Sequence, residues 1–178
     1  MPLDVDAVAL TGDWLRHAPV GAAALPQQIP PPDSRWQRGE VVQALYLADE
    51  ADTAWAEWYR HLAEAGIPPA CALPRSLWTW AVDVTVADLS DEARLARVGL
   101  PVPRPGRRRW PAFQAVGEQL AAEGWDGLLA PSAARPAHAV LCLFRAGPEG
   151  RAKPPGARPV GRPRRVAEPP IPPVGMTT

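Results

Sequence analysis

The groups in this sequence able to do chemistry are few and lie far apart. Glu57 falls in DEADTAWAEWYRHLAEAG, Tyr46 in VVQALYLA, Arg16 and His17 in LTGDWLRHAP, Arg35 in SRWQRG and Ser132 in APSAARP. No GxSxG turn, HExxH helix, Walker loop or GxGxxG turn accompanies them. The three histidines, His17, His61 and His138, are scattered, and nothing pairs one with a serine and a carboxylate. Cys71 and Cys142 have neither CxxC spacing nor a histidine close in sequence, so two buried thiols are expected and no metal site. Each remaining group also has an ordinary reading. On a wheel of about 100° per residue, Glu57 points well away from the Trp55/Trp58/Leu62 stripe, the pattern of a solvated helical glutamate. Tyr46 reads as a core residue, Arg16 and Arg35 as surface arginines, and Ser132 as a turn residue.

The elements that must position these groups can be read from periodicity. Asp49 to Gly66 is a helix with acidic residues in its first turn and glycine, then Pro68, at its end. Its apolar stripe is Ala54, Trp55, Trp58, Tyr59 and Leu62. Val41 to Ala48 has strand length, and there Tyr46 shares a face with Ala44 and Ala48, small neighbours that leave room beside its ring. Leu10 to Pro19 and Leu77 to Leu89 read as extended segments, Gly127 to Pro131 and Ala137 to Arg145 as two apolar strands joined by the Ser132 loop. Ser90 to Leu100 reads as a short helix with a serine cap, and Trp110 to Gly124 as a helix with an early proline. Residues 101–109 form a proline-rich basic loop. Without regular βαβ alternation, the class is α+β: a small mixed sheet with flanking helices.

Composition changes near Arg145. Residues 146–178 hold nine of the 24 prolines and few large apolar side chains, so a disordered basic tail is expected after a domain spanning 1–145. A chain ending near Gly147 should then fold and keep its chemistry. The tail carries about +4 and the remainder about −4, which sum to the net zero of the chain. A mildly acidic folded part does not suit phosphate-backbone binding, so no direct nucleic-acid contact is expected. The opening residues lack a basic signal-peptide region and no apolar run is long enough to span a bilayer, which points to a cytoplasmic protein without membrane contact. Homo-oligomerisation is left open.

Residue patterns alone stop at an α+β domain with several suggestive polar groups. The stretch SRWQRGEVVQALYLADEADTAWAEWYRHL, however, resembles the first half of the RES domain, named for an arginine, a glutamate and a serine. The matching features are Arg35-Trp36, Gly39, Tyr46-Leu47-Ala48 and Ala54-Trp55-Ala56-Glu57. GWDGLLAPSAARPAHAVLCLF is similar to the closing part of that family, with Ser132 as its serine, and Leu15-Arg16-His17 to its opening strand. Two positions depart: His17 stands where relatives often carry tyrosine, and Gln37 where they often carry asparagine.

The resemblance implies a fold like that of ADP-ribosyltransferase toxins and consumption of NAD as a substrate, with no separate cofactor or metal. Cleaving the nicotinamide–ribose bond builds positive charge on the ribose, which a carboxylate beside it stabilises; Glu57 is implied for that role. Arg16 and Arg35 would hold the pyrophosphate, because arginine meets phosphate with a bidentate fork. Tyr46 would stack on the nicotinamide, His17 would line the pocket beside Arg16, and Ser132 would bind a phosphate or hold the glutamate. The resemblance further implies a helix-turn-helix antitoxin as partner. Two alternatives stand beside NAD degradation by phosphorolysis or hydrolysis: transfer of ADP-ribose to a protein, and a catalytically idle interaction module.

Overall fold

In chain order the elements are β1 (Asp6–Pro19), β2 (Ala44–Ala48), α1 (Ala51–Ala65), β3 (Arg75–Asp88), α2 (Glu92–Arg97), α3 (Trp110–Ala122), β4 (Gly127–Pro131), β5 (Ala139–Phe144) and β6 (Ala157–Val166). A computed structural model describes residues 1–25, 30–145, 154 and 156–177. The long strands β1 and β3 pair antiparallel from end to end, with Asp6 opposite Asp88 and Pro19 opposite Arg75. The other edge of β3 is shared. β6 covers it from Arg75 to Val82, and β4 joins it in parallel at Ala87 and Asp88. β4 pairs with β5, β5 with β2, and β2 returns to β1 where Leu15 meets Ala48. The expected α+β class, a mixed sheet with few helices, is what forms.

β2, β4 and β5 are buried on both faces, which explains their nearly continuous apolar sequences. Leu45, Leu47, Leu129, Leu141 and Leu143 pack with Trp14 and Trp80 on one side. Leu128, Ala130, Cys142 and Phe144 face the opposite way, against Phe113, Val116 and Leu120 of α3 and Leu95 of α2. The third cluster is the tryptophan stripe of α1, where Trp55, Trp58 and Leu62 pack with Ala48 and Leu77. Ala44 and Tyr46 share a face, as period two requires, and lean on the α3 side. α1 ends at Gly66, whose φ of 66° closes the helix with N–H bonds back to Ala63.

Three expectations change. The short helix is capped by Asp91, whose Oδ1 accepts the Arg94 N–H at 2.8 Å, rather than by Ser90, whose N–H turns back to Asp88. Cys142 is buried, and burial pushes its thiol up to about 12, but Cys71 is exposed. The third change concerns the tail. Residues 157–166 form an ordered edge strand, with Ala157 opposite Val82 and Val166 opposite Arg75. Pairing there uses backbone groups that β3 leaves open, so it does not need the apolar side chains whose scarcity suggests disorder. Pro159 and Pro163 suit an edge position, where a missing N–H costs little. Residues 146–153, 155 and 178 of the expected tail, and 26–29 of the expected loop, lie outside the described residues. Among the described residues, no helix is long and apolar enough to cross a membrane.

Candidate functional site

α1 carries two faces. Opposite its tryptophans, Thr53, Glu57, Arg60 and Glu64 follow one another at helical spacings of four, three and four residues. Glu57 is not the freely solvated glutamate that the wheel suggests, since its side chain is 23% exposed and both oxygens are engaged. Its Oε1 accepts the Ser132 hydroxyl at 2.6 Å and the Ala134 N–H at 3.3 Å. Its Oε2 accepts Arg60 Nε at 2.8 Å. Arg60 reaches on to Glu64 at 2.5 Å, and Glu64 accepts the Gly106 N–H at 2.8 Å. Burial works against the charge on Glu64, but the Gly106 N–H and Arg60 outweigh it and hold the carboxyl below its usual range. The basic loop 101–109 is thereby tied to the helix that carries Glu57.

Ser132 follows β4 directly and is fully buried. Its oxygen accepts two backbone N–H groups, Ala134 at 3.2 Å and Arg135 at 3.0 Å, a turn typical of a serine after a strand. With its acceptor sites so used, the hydroxyl proton is left to point at Glu57. The same turn is stapled to the start of α1. Arg135 bonds Thr53 Oγ1 at 3.2 Å and pairs with Glu50, while Asp49 accepts the Ala139 N–H at 3.0 Å. Thus two segments 75 residues apart in sequence meet at one carboxylate.

Arg35 comes from a loop locked onto α3. Gln114, buried, donates to the carbonyls of Ser34 at 2.9 Å and Gln37 at 3.2 Å. The loop approaches so closely that a Cβ on Gly117 would sit 2.1 Å from the Trp36 carbonyl oxygen. Gly39 has a similar reason to be glycine, with the Pro31 carbonyl oxygen 2.2 Å from where a Cβ would be. Arg35 itself is 9% exposed, donates to the Arg104 carbonyl at 2.6 Å and lies 5.2 Å from the Phe113 ring centre. Burial and the charge of Arg60 lower its proton affinity, and Glu57, Glu64 and Tyr46 act the other way. Arg35 therefore feels the Glu57 carboxylate without an ion pair to it.

Tyr46 joins the arginines of the two ends. Its hydroxyl accepts the Trp36 N–H at 3.2 Å, and its carbonyl accepts Arg16 at 3.3 Å. Burial pushes the phenol well above its ordinary range, so it stays neutral. Burial, with Arg75 and Arg145 nearby, brings Arg16 down to about 10, which leaves it charged at neutral pH. The Arg16 Nε is buried and has no hydrogen-bond partner among the described residues. His17, one residue on, faces the other side of β1. It stacks on Trp55 at 5.3 Å and takes an Arg75 N–H on Nδ1 at 2.8 Å. A guanidinium only donates, so Nδ1 is unprotonated; burial, Arg75 and Arg16 hold the ring neutral.

Of the residues singled out from sequence, Glu57 and Ser132 meet directly, Arg35 lies within their electrostatic reach, and Tyr46 connects Arg35's loop to Arg16. His17 is engaged instead with Trp55 and Arg75. Sequence reading misses Arg60, Glu64 and Arg135. The first two were accessible, three and seven residues beyond Glu57 on its own face; Arg135 needed the turn geometry. Among the described residues, no three His, Cys, Asp or Glu side chains gather as a metal site.

Residues 8–164 match the RES domain. Over 129 residues the chain is 30% identical to Probable NAD(+) phosphorylase Rv3189 of Mycobacterium tuberculosis, a match covering 72% of this chain and 60% of that protein. The chain thus spans less than two-thirds of that relative. In three dimensions it resembles a chain of the crystal structure of the M. tuberculosis MbcT–MbcA toxin–antitoxin complex, with a TM-score of 0.70 and 22% identity over 91% of this chain and 86% of that one. The match runs from β1 into β6 and takes in the loop arginine, the helix glutamate and the turn serine: the chain belongs to the RES domain family.

Proposed function

We propose that this chain is an NAD-consuming toxin that cleaves the nicotinamide–ribose bond and is held in check by a helix-turn-helix antitoxin. The observation that carries the reading is the Glu57 carboxylate, oriented by Ser132, Ala134 and Arg60, within electrostatic reach of the buried Arg35, which forms no ion pair among the described residues. Arg16 and Arg35 are costly to bury without an anion, and a pyrophosphate is an anion of suitable size. As the C–N bond breaks, its electron pair leaves with nicotinamide and positive charge grows on the ribose. Glu57 faces that charge, and either an anionic phosphate oxygen closes on the anomeric carbon, or a water oxygen does so and passes its proton to solvent. Tyr46, partly buried beside Ala44, offers the flat nicotinamide an aromatic surface worth roughly 0.5–2 kcal/mol. The NAD(+) phosphorylase activity for which the mycobacterial relative is named, and the toxin–antitoxin complex to which the structural neighbour belongs, support this reading.

Incubating NAD labelled in its ADP-ribose part with the purified chain, with and without inorganic phosphate and then with cell extract, and following nicotinamide release and the fate of the label, tests the proposal. Wild type should release nicotinamide and yield free ADP-ribose or its phosphate. Glu57→Gln should lose on the order of 10²–10³ in kcat. Wild-type turnover in a folded Glu57→Gln chain sinks the assignment, and label appearing mainly on one extract protein makes the chain a transferase instead.

A further inference from the structure

The segment that follows β6 lies across α1 and the Ser132 turn. Tyr59 of α1 donates its hydroxyl to the Pro170 carbonyl, and Arg135 Nε donates to the Val174 carbonyl at 3.1 Å. Pro173 is buried, and a turn in which the Met176 N–H bonds the Pro173 carbonyl at 3.2 Å delivers Thr177 onto the serine turn. There Thr177 makes its bonds to two successive peptide groups. Its Oγ1 donates to the Ala133 carbonyl at 3.0 Å, and its N–H donates to the Ala134 carbonyl at 2.7 Å.

The other ends of those two peptide groups point into the site. The Ala133–Ala134 peptide aims its N–H at Ser132 Oγ, 3.2 Å, and at Glu57 Oε1, 3.3 Å. The Ala134–Arg135 peptide aims its N–H at Ser132 Oγ, 3.0 Å. A trans peptide is planar, with its C=O and N–H directed oppositely. Gripping the two carbonyls from outside therefore fixes the direction of the two N–H groups inside. Those N–H groups in turn decide where the Ser132 proton points. We infer that Thr177 is a positioning residue for the Glu57 carboxylate, acting through the Ala133–Arg135 backbone, and that the segment Pro170–Thr177 is a strap needed for full turnover. The inference rests on Glu57 being the carboxylate that cleaves NAD.

The effect belongs on kcat, because the strap orients the group that meets developing charge and touches neither arginine proposed to hold substrate. Three variants of the full chain and one truncation test it in the nicotinamide-release assay: Thr177→Pro, which removes both donors, Thr177→Val, which removes one, Thr177→Ser, which keeps both, and a chain stopped after Val166, which retains β6. Expected are a fall in kcat of about tenfold or more for Thr177→Pro and the stopped chain, with KM within about twofold, a smaller fall for Thr177→Val, and wild-type kcat for Thr177→Ser. Amide hydrogen exchange at Ala134 and Arg135 should quicken in Thr177→Pro and in the stopped chain. Wild-type kcat in both of these, with Glu57→Gln inactive in the same assay, overturns the strap. An active Glu57→Gln overturns the underlying reading of the site instead, and the exchange measurement then still reports whether the strap orders the turn.

Discussion

Both oxygens of Glu57 are committed, one to the serine turn and one to Arg60, so the carboxylate has a fixed direction before any substrate arrives. Replacing it with glutamine leaves an oxygen for Ser132 and removes a partly exposed ion pair, a cost of about 1 kcal/mol or less. A large loss of turnover would then be chemical rather than structural. His17 offers a second test at this scale. The folded chain keeps its ring neutral well below the ordinary value of 6.5, while the unfolded chain protonates near 6.5. More protons bind the unfolded state in that window, so stability is complete above about pH 6.5 and declines as pH falls below it. The slope from this residue approaches about 1.4 kcal/mol per pH unit. His61 is shifted the same way and adds a slope of the same sign. Urea melts between pH 7.5 and 5 should show a shallower decline for His17→Phe than for wild type; equal slopes would show that His17 does not stay neutral in the folded chain.

Arg35 and Trp36 sit in a tight turn closed by backbone bonds between Ser34 and Gln37, and α3 fixes where that turn lies. Gln114 supplies two hydrogen bonds to it, and the bare backbone at Gly117 lets it come close. Gly117→Ala forces a methyl group against the Trp36 carbonyl, with overpacking that costs about 1–3 kcal/mol. The melting temperature should drop by about 2–4 °C per kcal/mol in a chain of this size. Arg35 would move with the loop, so the apparent KM for NAD should rise as well. An unchanged melting temperature would mean that the loop yields and α3 does not position it. Serine 132 and Gln114 illustrate one rule on two elements. A polar side chain that satisfies backbone groups of an irregular segment gives that segment one shape.

At the level of the whole chain, the ladder from β1 through β2, β5, β4 and β3 returns to β1, and β6 closes the remaining stretch of the β3 edge. A chain ending after Arg145 would expose that edge from Arg75 to Val82 and lose the contact of Ala157 with the Trp14–Trp80 cluster. It should melt several degrees lower than the chain stopped after Val166 and associate more readily, since an open strand edge is a template for pairing. Thermal denaturation and light scattering on the two truncations check this, and equal melting temperatures would show that β6 contributes nothing to stability. The four arginines of β6, at 158, 162, 164 and 165, are all exposed, which fits a polar outermost strand.

Periodicity and turn chemistry were enough for α1, β3, β4, β5 and α3, because their partners' demands repeat along the chain: a stripe for a helix on a sheet, a two-sided apolar run for an inner strand. The order of Arg35, Tyr46, Glu57 and Ser132 was likewise legible, through resemblance to a family whose polar residues recur in that order. Tertiary structure alone decided three things. It turned Glu57 from a surface glutamate into one bonded to a serine 75 residues away, because a helix wheel reports its own faces and not what packs on the far one. It made a strand of residues 157–166, because sheet pairing is a backbone interaction that composition does not record. It also brought Thr177 onto the serine turn, through contacts to backbone carbonyls that leave no trace in residue type.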